Sequence, residues 1–219
     1  MKSGIILFIV EGPSDYPALM PYIEKKLLSL RLRISVKEMH GDILTEYIQN
    51  TRQYRVTSGN VKGELKQCIL NFLSSQSVRT EGIRTKDIRK IYYVTDTDYC
   101  FYGKEPHHKN KAECLQKIFH FNTIELVKKK GIPFETIFFS KHLEHVIDNN
   151  IHDVSDQEKE KIAFIFSNRA MKEENFFVDF FYSRGIMKWN SYRESYDNIR
   201  DYQGRACNMN NFIEEFGMK

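Results

Sequence analysis

Residues Ile5 to Val10 form an unbroken apolar run, IILFIV, and Glu11 follows it directly, ahead of Gly12, Pro13, Ser14 and Asp15. Apolar side chains at both odd and even positions do not suit a strand with one wet face. A short run of this kind, closed by turn residues, reads as a strand covered on both faces, the usual state in a parallel sheet. A second run, Ile91 to Val94, delivers Asp96, Thr97 and Asp98. In open α/β sheets ligands sit beyond the carboxyl ends of the strands, so two such strands gather Glu11, Asp96 and Asp98 in one crevice. Asp96 and Asp98 are two apart and in extended backbone face the same side. Like charges that close repel unless a cation lies between them. Hard divalent cations such as Mg²⁺ take oxygen ligands of this kind together with substrate phosphates.

The rest of the pattern supports the same fold class. Leu19, Ile23, Leu27 and Leu30 mark one face of a helix, in which Pro21 fits only within the first turn. Ile34 to Met39 alternates and reads as a second strand ending at His40, Gly41 and Asp42, and residues 44–78 read as two helical pieces broken near Thr57 to Asn60. The third strand spans 90–95. A polar loop, a helix from 111 to 130 closed by Gly131 with Pro133 beyond it, and a fourth strand at 134–139 follow. Strands separated by helices imply right-handed β-α-β units and a mostly parallel sheet. The composition shifts near residue 150, which divides the chain into 1–150 and a helical, aromatic-rich extension, 151–219. Its aromatics, Phe164, Phe166, Phe176, Phe177, Phe180, Phe181, Tyr182, Trp189, Tyr192, Tyr196 and Tyr202, are expected to pack on the sheet, the alternative being a surface for a second protomer or for stacked bases.

Composition narrows the class of protein. The chain has 219 residues, 41% apolar and 28% charged, with no stretch of apolar residues long enough for a membrane span. With its first apolar run starting at Ile5, no leader segment is expected, and its cysteines, Cys68, Cys100, Cys114 and Cys207, form no Cys-x-x-Cys pair. Reduced thiols in a cytoplasmic protein are expected, and a zinc ribbon is not. A net charge of +4 is compatible with nucleic acid without identifying it. There is no Gly-x-x-x-x-Gly-Lys-Ser/Thr motif for ATP, and His142, Glu144 and His145 do not have the His-Glu-x-x-His spacing of a zinc protease.

The two acidic motifs, in this order, resemble those of the TOPRIM family, the catalytic domain shared by topoisomerases, bacterial primases, small RNA-maturation nucleases and the OLD-type nucleases of phage defence. That family carries a Glu at the end of its first strand and an Asp-x-Asp at the end of its third, here Glu11 and Asp96 with Asp98. The wording Val10 to Asp15 is most similar to the OLD-type branch, where the acid four residues on, here Asp15, joins the site. Phe138 to Glu144 is similar to the segment after the fourth strand in that branch, where a Glu, here Glu144, binds a second metal. The resemblance covers roughly residues 1–150.

It implies a TOPRIM-like Rossmannoid sheet flanked by helices, one or two Mg²⁺ or Mn²⁺ ions, and cleavage of phosphodiester bonds. The first ion would be held by Glu11 and Asp96 with Asp15, the second with help from Asp98 and Glu144. RNA, including a transfer-RNA-like target, is the substrate expected ahead of DNA. A separate ATPase subunit in phage defence is implied as a partner, and a homo-oligomer is compatible with it. The alternative is a non-catalytic TOPRIM-fold subunit of such a complex. A topoisomerase would need a larger gate and a nucleophile domain, and a primase a zinc domain.

Several of these residues also have ordinary readings. Asp15, just before Pro17, suits a turn or helix N-cap, and Glu144 suits a helix start. His142 and His145 read as helix-surface residues, and Asp42 as a turn residue that points toward the same crevice. The loop from Tyr102 to Lys111 carries Lys104, Lys109 and Lys111, whose charge beside a metal site suits contact with substrate phosphates.

Overall fold

A computed structural model describes residues 4–39, 42–127, 130–150, 152 and 154–218. His40, Gly41, Lys128, Lys129 and Asp153, which the expected strand end, helix end and boundary included, lie outside that set. The centre is a five-stranded sheet in the order β2-β1-β5-β7-β6, built from β1 (Ile5–Val10), β2 (Arg33–Glu38), β5 (Ile88–Asp96), β6 (Thr123–Val127) and β7 (Lys130–Phe139). The β1–β2, β1–β5 and β5–β7 pairs are parallel, and only β6 runs antiparallel to its neighbour.

Every residue of β1 is buried, as an apolar run on both parities requires. Ile5, Leu7 and Ile9 face one layer together with Ile91 and Tyr93 of β5. That layer is closed by α2 (Val61–Ser74) through Leu65 and Ile69, by α4 (Pro106–Ile118) through Leu115 and Ile118, and by Tyr196 of α8 (Tyr192–Asn198). Ile6, Phe8 and Val10 face the opposite layer with Tyr92 and Val94. There the cover is α1 (Asp15–Ser29), α5 (Leu143–Asp148), α6 (Asp156–Lys172), α7 (Phe176–Phe181) and α9 (Met209–Glu215). The chain is thus α/β, with a mostly parallel sheet between two helical layers and a Rossmann-like arrangement.

The C-terminal aromatics serve both layers. Phe166, Phe177 and Phe181 are buried on one side and Trp189 and Tyr196 on the other, so packing accounts for them. Tyr196 stacks on Phe119 at 4.6 Å between ring centroids, and its hydroxyl accepts from the Thr136 amide at 2.7 Å. Phe164 differs, being 68% exposed on α6.

Local departures from the sequence reading have physical causes. Residues 47–54 form a small antiparallel hairpin, β3 (Tyr47–Ile48) with β4 (Gln53–Tyr54), in place of the first expected helical piece; the second piece is α2 followed by α3 (Gln76–Thr80). The helix expected over 111–130 is α4, which begins at Pro106 and ends at Ile118. Its expected second half is β6, whose Ile124 and Leu126 alternate inward as a one-sided strand does. Gly131 therefore lies in a strand rather than capping a helix; a Cβ there would stand 2.9 Å from Thr123 Oγ1 on β6. Pro21 sits well inside α1, beyond its first turn. The roughly 3 kcal/mol that proline costs in a helix interior is outweighed by burying Leu19, Ile23 and Leu27, at roughly 1.5–3 kcal/mol each. Leu30 follows the end of α1 and is 46% exposed rather than on the buried face.

Candidate metal centre

The strand order reverses direction between β1 and β5: the chain leaves β1 for β2 on one side and returns to β5 on the other. Ligand crevices open at such points, beyond the carboxyl ends of the strands. Val10 pairs with Val94 and Asp96 with Phe139, so the ends of β1, β5 and β7 are nearly level. Glu11, Asp96 with Asp98, and the segment Ser140 to Glu144 leave the sheet together at this edge.

The acids divide into two groups. In the first, Lys111 Nζ lies 2.6 Å from Asp98 Oδ2, 2.8 Å from Asp42 Oδ2 and 3.7 Å from Glu11 Oε1. Glu11 Oε2 also accepts from the Thr95 hydroxyl. Burial, opposed by Lys111 and reinforced by the Asp42 carboxylate, holds the Glu11 carboxyl well above its ordinary range. Burial would raise Asp42 too, but the Lys111 charge and hydrogen bonds from Glu11, Lys111 and the Leu44 amide bring it below its ordinary value. Lys111 is held well above its own range; burial works against its charge, and the carboxylates of Glu11, Asp42 and Asp98 outweigh burial.

The second group is Asp15, Asp96 and Glu144. Asp15 Oδ2 accepts from the Gly12 amide at 3.3 Å, while Asp15 Oδ1, Asp96 Oδ1 and Glu144 Oε1 are buried without a hydrogen-bond partner. Burial, then the Glu144 carboxylate, pushes Asp15 up to about 7. Burial, then Asp15, Asp98 and Glu144, holds Asp96 well above its ordinary range. Glu144 goes the other way: burial would raise it, but the His142 ring beside it and hydrogen bonds from its own backbone amide and Ser14 hold it below its ordinary value. Among the described residues, no lysine or arginine lies within ion-pair distance of any of these three acids.

The local backbone explains the split. Extended geometry would put Asp96 and Asp98 on one face, but β5 stops at Asp96 and Asp98 adopts a left-handed φ of 47°. Its amide donates to the Lys141 carbonyl at 2.6 Å, and Lys141 is itself left-handed at 57°. Asp is among the few residue types that tolerate this region. The turn brings the Asp98 carboxylate to Lys111, while Asp96 stays among the charges of Asp15, Asp98 and Glu144.

The site residues read from the sequence fall out as follows. Glu11, Asp15, Asp96, Asp98 and Glu144 all reach this edge of the sheet. Lys111 is not a solvated loop residue able to meet phosphates: it belongs to α4 and is 1% exposed. Lys104 and Lys109 are exposed, one before α4 and one on it. His142 and His145 are buried rather than on a helix surface. His142 caps α5, accepting from the His145 amide, and its Nδ1 lies 3.1 Å from Glu144 Oε2. Asp42 is more than a turn residue, since it binds Lys111 as well as the Leu44 amide. Thr95 carried no sequence signal as a partner of Glu11, because an inward Thr near a strand end looks like any β-former.

The donor chemistry suits a hard cation: carboxylate oxygens, among them the buried Asp15 Oδ1, Asp96 Oδ1 and Glu144 Oε1 without a hydrogen-bond partner. Among the described residues, however, no group of three or more His, Cys, Asp or Glu side chains is set to hold a metal ion as it stands. Comparisons of the chain with family models, characterised proteins and solved structures give no match.

Proposed function

We propose that this protein is a Mg²⁺- or Mn²⁺-dependent nuclease with a TOPRIM-like catalytic domain, hydrolysing phosphodiester bonds of nucleic acid as an effector of phage defence. The observation that carries the reading is the trio Asp15, Asp96 and Glu144. Asp96 ends β5, Asp15 opens the helix after β1 and Glu144 lies in the helix after β7, at the point where the strand order reverses; each has a buried oxygen without a hydrogen-bond partner, and Asp15 and Glu144 both raise the proton affinity of Asp96. Their mutual repulsion is what a divalent cation relieves.

A bound Mg²⁺ or Mn²⁺ supplies charge at a phosphoryl oxygen and lowers the pKa of water. Asp15, Asp96 and Glu144 are the residues that would hold it. Lys111 pairs with Asp42 and Asp98 beside it, with Glu11 at 3.7 Å. Lys104 and Lys109, exposed at and before the start of the neighbouring helix, dock the phosphates flanking the scissile bond. RNA is placed ahead of DNA on the strength of the family resemblance.

Incubating the purified protein with total RNA and with plasmid in Mg²⁺ or Mn²⁺, with and without a partner ATPase, tests the reading. Cleavage that needs the ion and disappears in Asp96→Asn supports it; plasmid nicking with intact RNA reverses the substrate order; ion-independent cleavage rejects the centre. The second reading is a non-catalytic subunit docking on an ATPase. It is favoured by Phe164 and Ile165, 68% and 49% exposed side by side on α6, and it predicts no response to millimolar Mg²⁺.

A further inference from the structure

Among the described residues Lys111 is the only buried lysine. An ammonium has three N–H bonds and no acceptor, and here three carboxylates surround it, at 2.6 Å (Asp98), 2.8 Å (Asp42) and 3.7 Å (Glu11). They come from three separate places: the residue after β1, the segment after β2 and the turn after β5. Oxygen ligands gathered from separate segments around one compact positive charge are what a hard divalent ion would also make of these acids.

We propose that Lys111 is the built-in second cation of the centre. It fills the place between Glu11, Asp42 and Asp98, so that the protein binds one divalent ion, at Asp15, Asp96 and Glu144, rather than two. The inference rests on the metal-centre reading above. It goes further by fixing the number of ions and by making Glu11 and Asp98 partners of a lysine instead of ligands of an ion.

Helix α4 makes this lysine a fixture. Asn110, its neighbour, donates from Nδ2 to the Leu44 carbonyl at 2.6 Å and to the Val56 carbonyl at 2.9 Å, pinning the helix to the segment that carries Asp42. Cys114, Leu115 and Ile118 anchor the following turns in the core. With 1% of its surface exposed, Lys111 would have to leave a buried position to yield these carboxylates to an incoming ion. An ion entering there would strand a buried ammonium without partners, which is strongly unfavourable. Among the described residues no lysine or arginine forms an ion pair with Asp15, Asp96 or Glu144; Lys159 and Lys111 act on them only from farther off.

The test is calorimetric titration of Mn²⁺ into the metal-free full-length protein, without nucleic acid, for the wild type and for Lys111→Ala. The variant removes the ammonium and frees Glu11, Asp42 and Asp98. One ion in the wild type and two in Lys111→Ala is the expected result. Two ions in the wild type, or one in both proteins, overturns the role of Lys111 and leaves the metal centre standing. No ion in either protein overturns the metal centre itself, and this inference with it. Should Lys111→Ala fail to fold, the wild-type count decides alone: one supports the proposal and two reject it.

Discussion

Asp15 offers a measurement of how far this site is held out of equilibrium by its own charges. Its side chain is fully buried, and burial with the nearby Glu144 carboxylate moves its proton affinity from an ordinary 3.8 up to about 7. The unfolded chain releases this proton near pH 4, whereas the folded chain keeps it to near neutrality. Between those limits the fold binds more protons than the unfolded chain, so stability falls as pH rises through that window. At about 1.36 kcal/mol per pH unit, the loss is on the order of 4 kcal/mol by about pH 8. Asp15→Asn removes this term and keeps an oxygen for the Gly12 amide. The variant is expected to match the wild type near pH 4 and to exceed its stability increasingly from there to about pH 8. Urea unfolding of both proteins, in chelator, across that range reads the difference directly. A stability difference that does not change with pH would refute the buried, charge-crowded environment assigned to Asp15. Added Mn²⁺ should stabilise the wild type and not the variant, because the ion takes over the role of the proton.

Other consequences are equally direct. Asp96→Asn should abolish ion-dependent cleavage while the melting temperature stays equal or rises, since the swap relieves repulsion from Asp15 and Glu144; full activity would reject the assignment. In Gly12→Ala the new Cβ would stand 2.9 Å from Asp15 Oδ2 and 3.2 Å from its Cγ, so the carboxylate must shift. Weaker Mn²⁺ binding in a folded protein is expected, and unchanged binding would show that Asp15 is not a ligand. Neutralising Lys104 and Lys109 together should weaken binding to all sequences alike. The slope of log affinity against log salt should become shallower by roughly 0.7–0.9 for each phosphate that is no longer neutralised, and an unchanged slope would remove both lysines from the interface.

The sheet was legible in the sequence because its central strands are apolar at every position: β1 and the heart of β5 need cover on both sides, and both receive it. Glu11, Asp96 and Asp98 could be placed at one edge of the sheet because each lies at or just beyond a strand end; Asp15 and Glu144, on the helices that follow β1 and β7, were singled out only through the resemblance. What could not be read was how they pair. The left-handed turn at Asp98 breaks the alternation on which a shared face depends, and no composition or period announces it. Lys111 stood in a run of lysines and histidines that looked solvated; only the start of α4 at Pro106 turns it inward. The strand β6 was hidden by Gly131 and Pro133, which as a pair mimic the end of a helix, although Ile124 and Leu126 already carried the two-residue period. The hairpin at 47–54 is two residues per strand, too short for any period to show.

The central claim is that Asp15, Asp96 and Glu144 form a divalent-ion centre at the carboxyl edge of the sheet. Anomalous scattering from crystals of the full-length protein grown with Mn²⁺ tests it most directly. The account predicts one peak, bounded by those three carboxylates, with Lys111 still in contact with Asp42 and Asp98. A peak between Glu11 and Asp98 with the lysine displaced, or no peak at this edge in a protein that still cleaves nucleic acid, would contradict it.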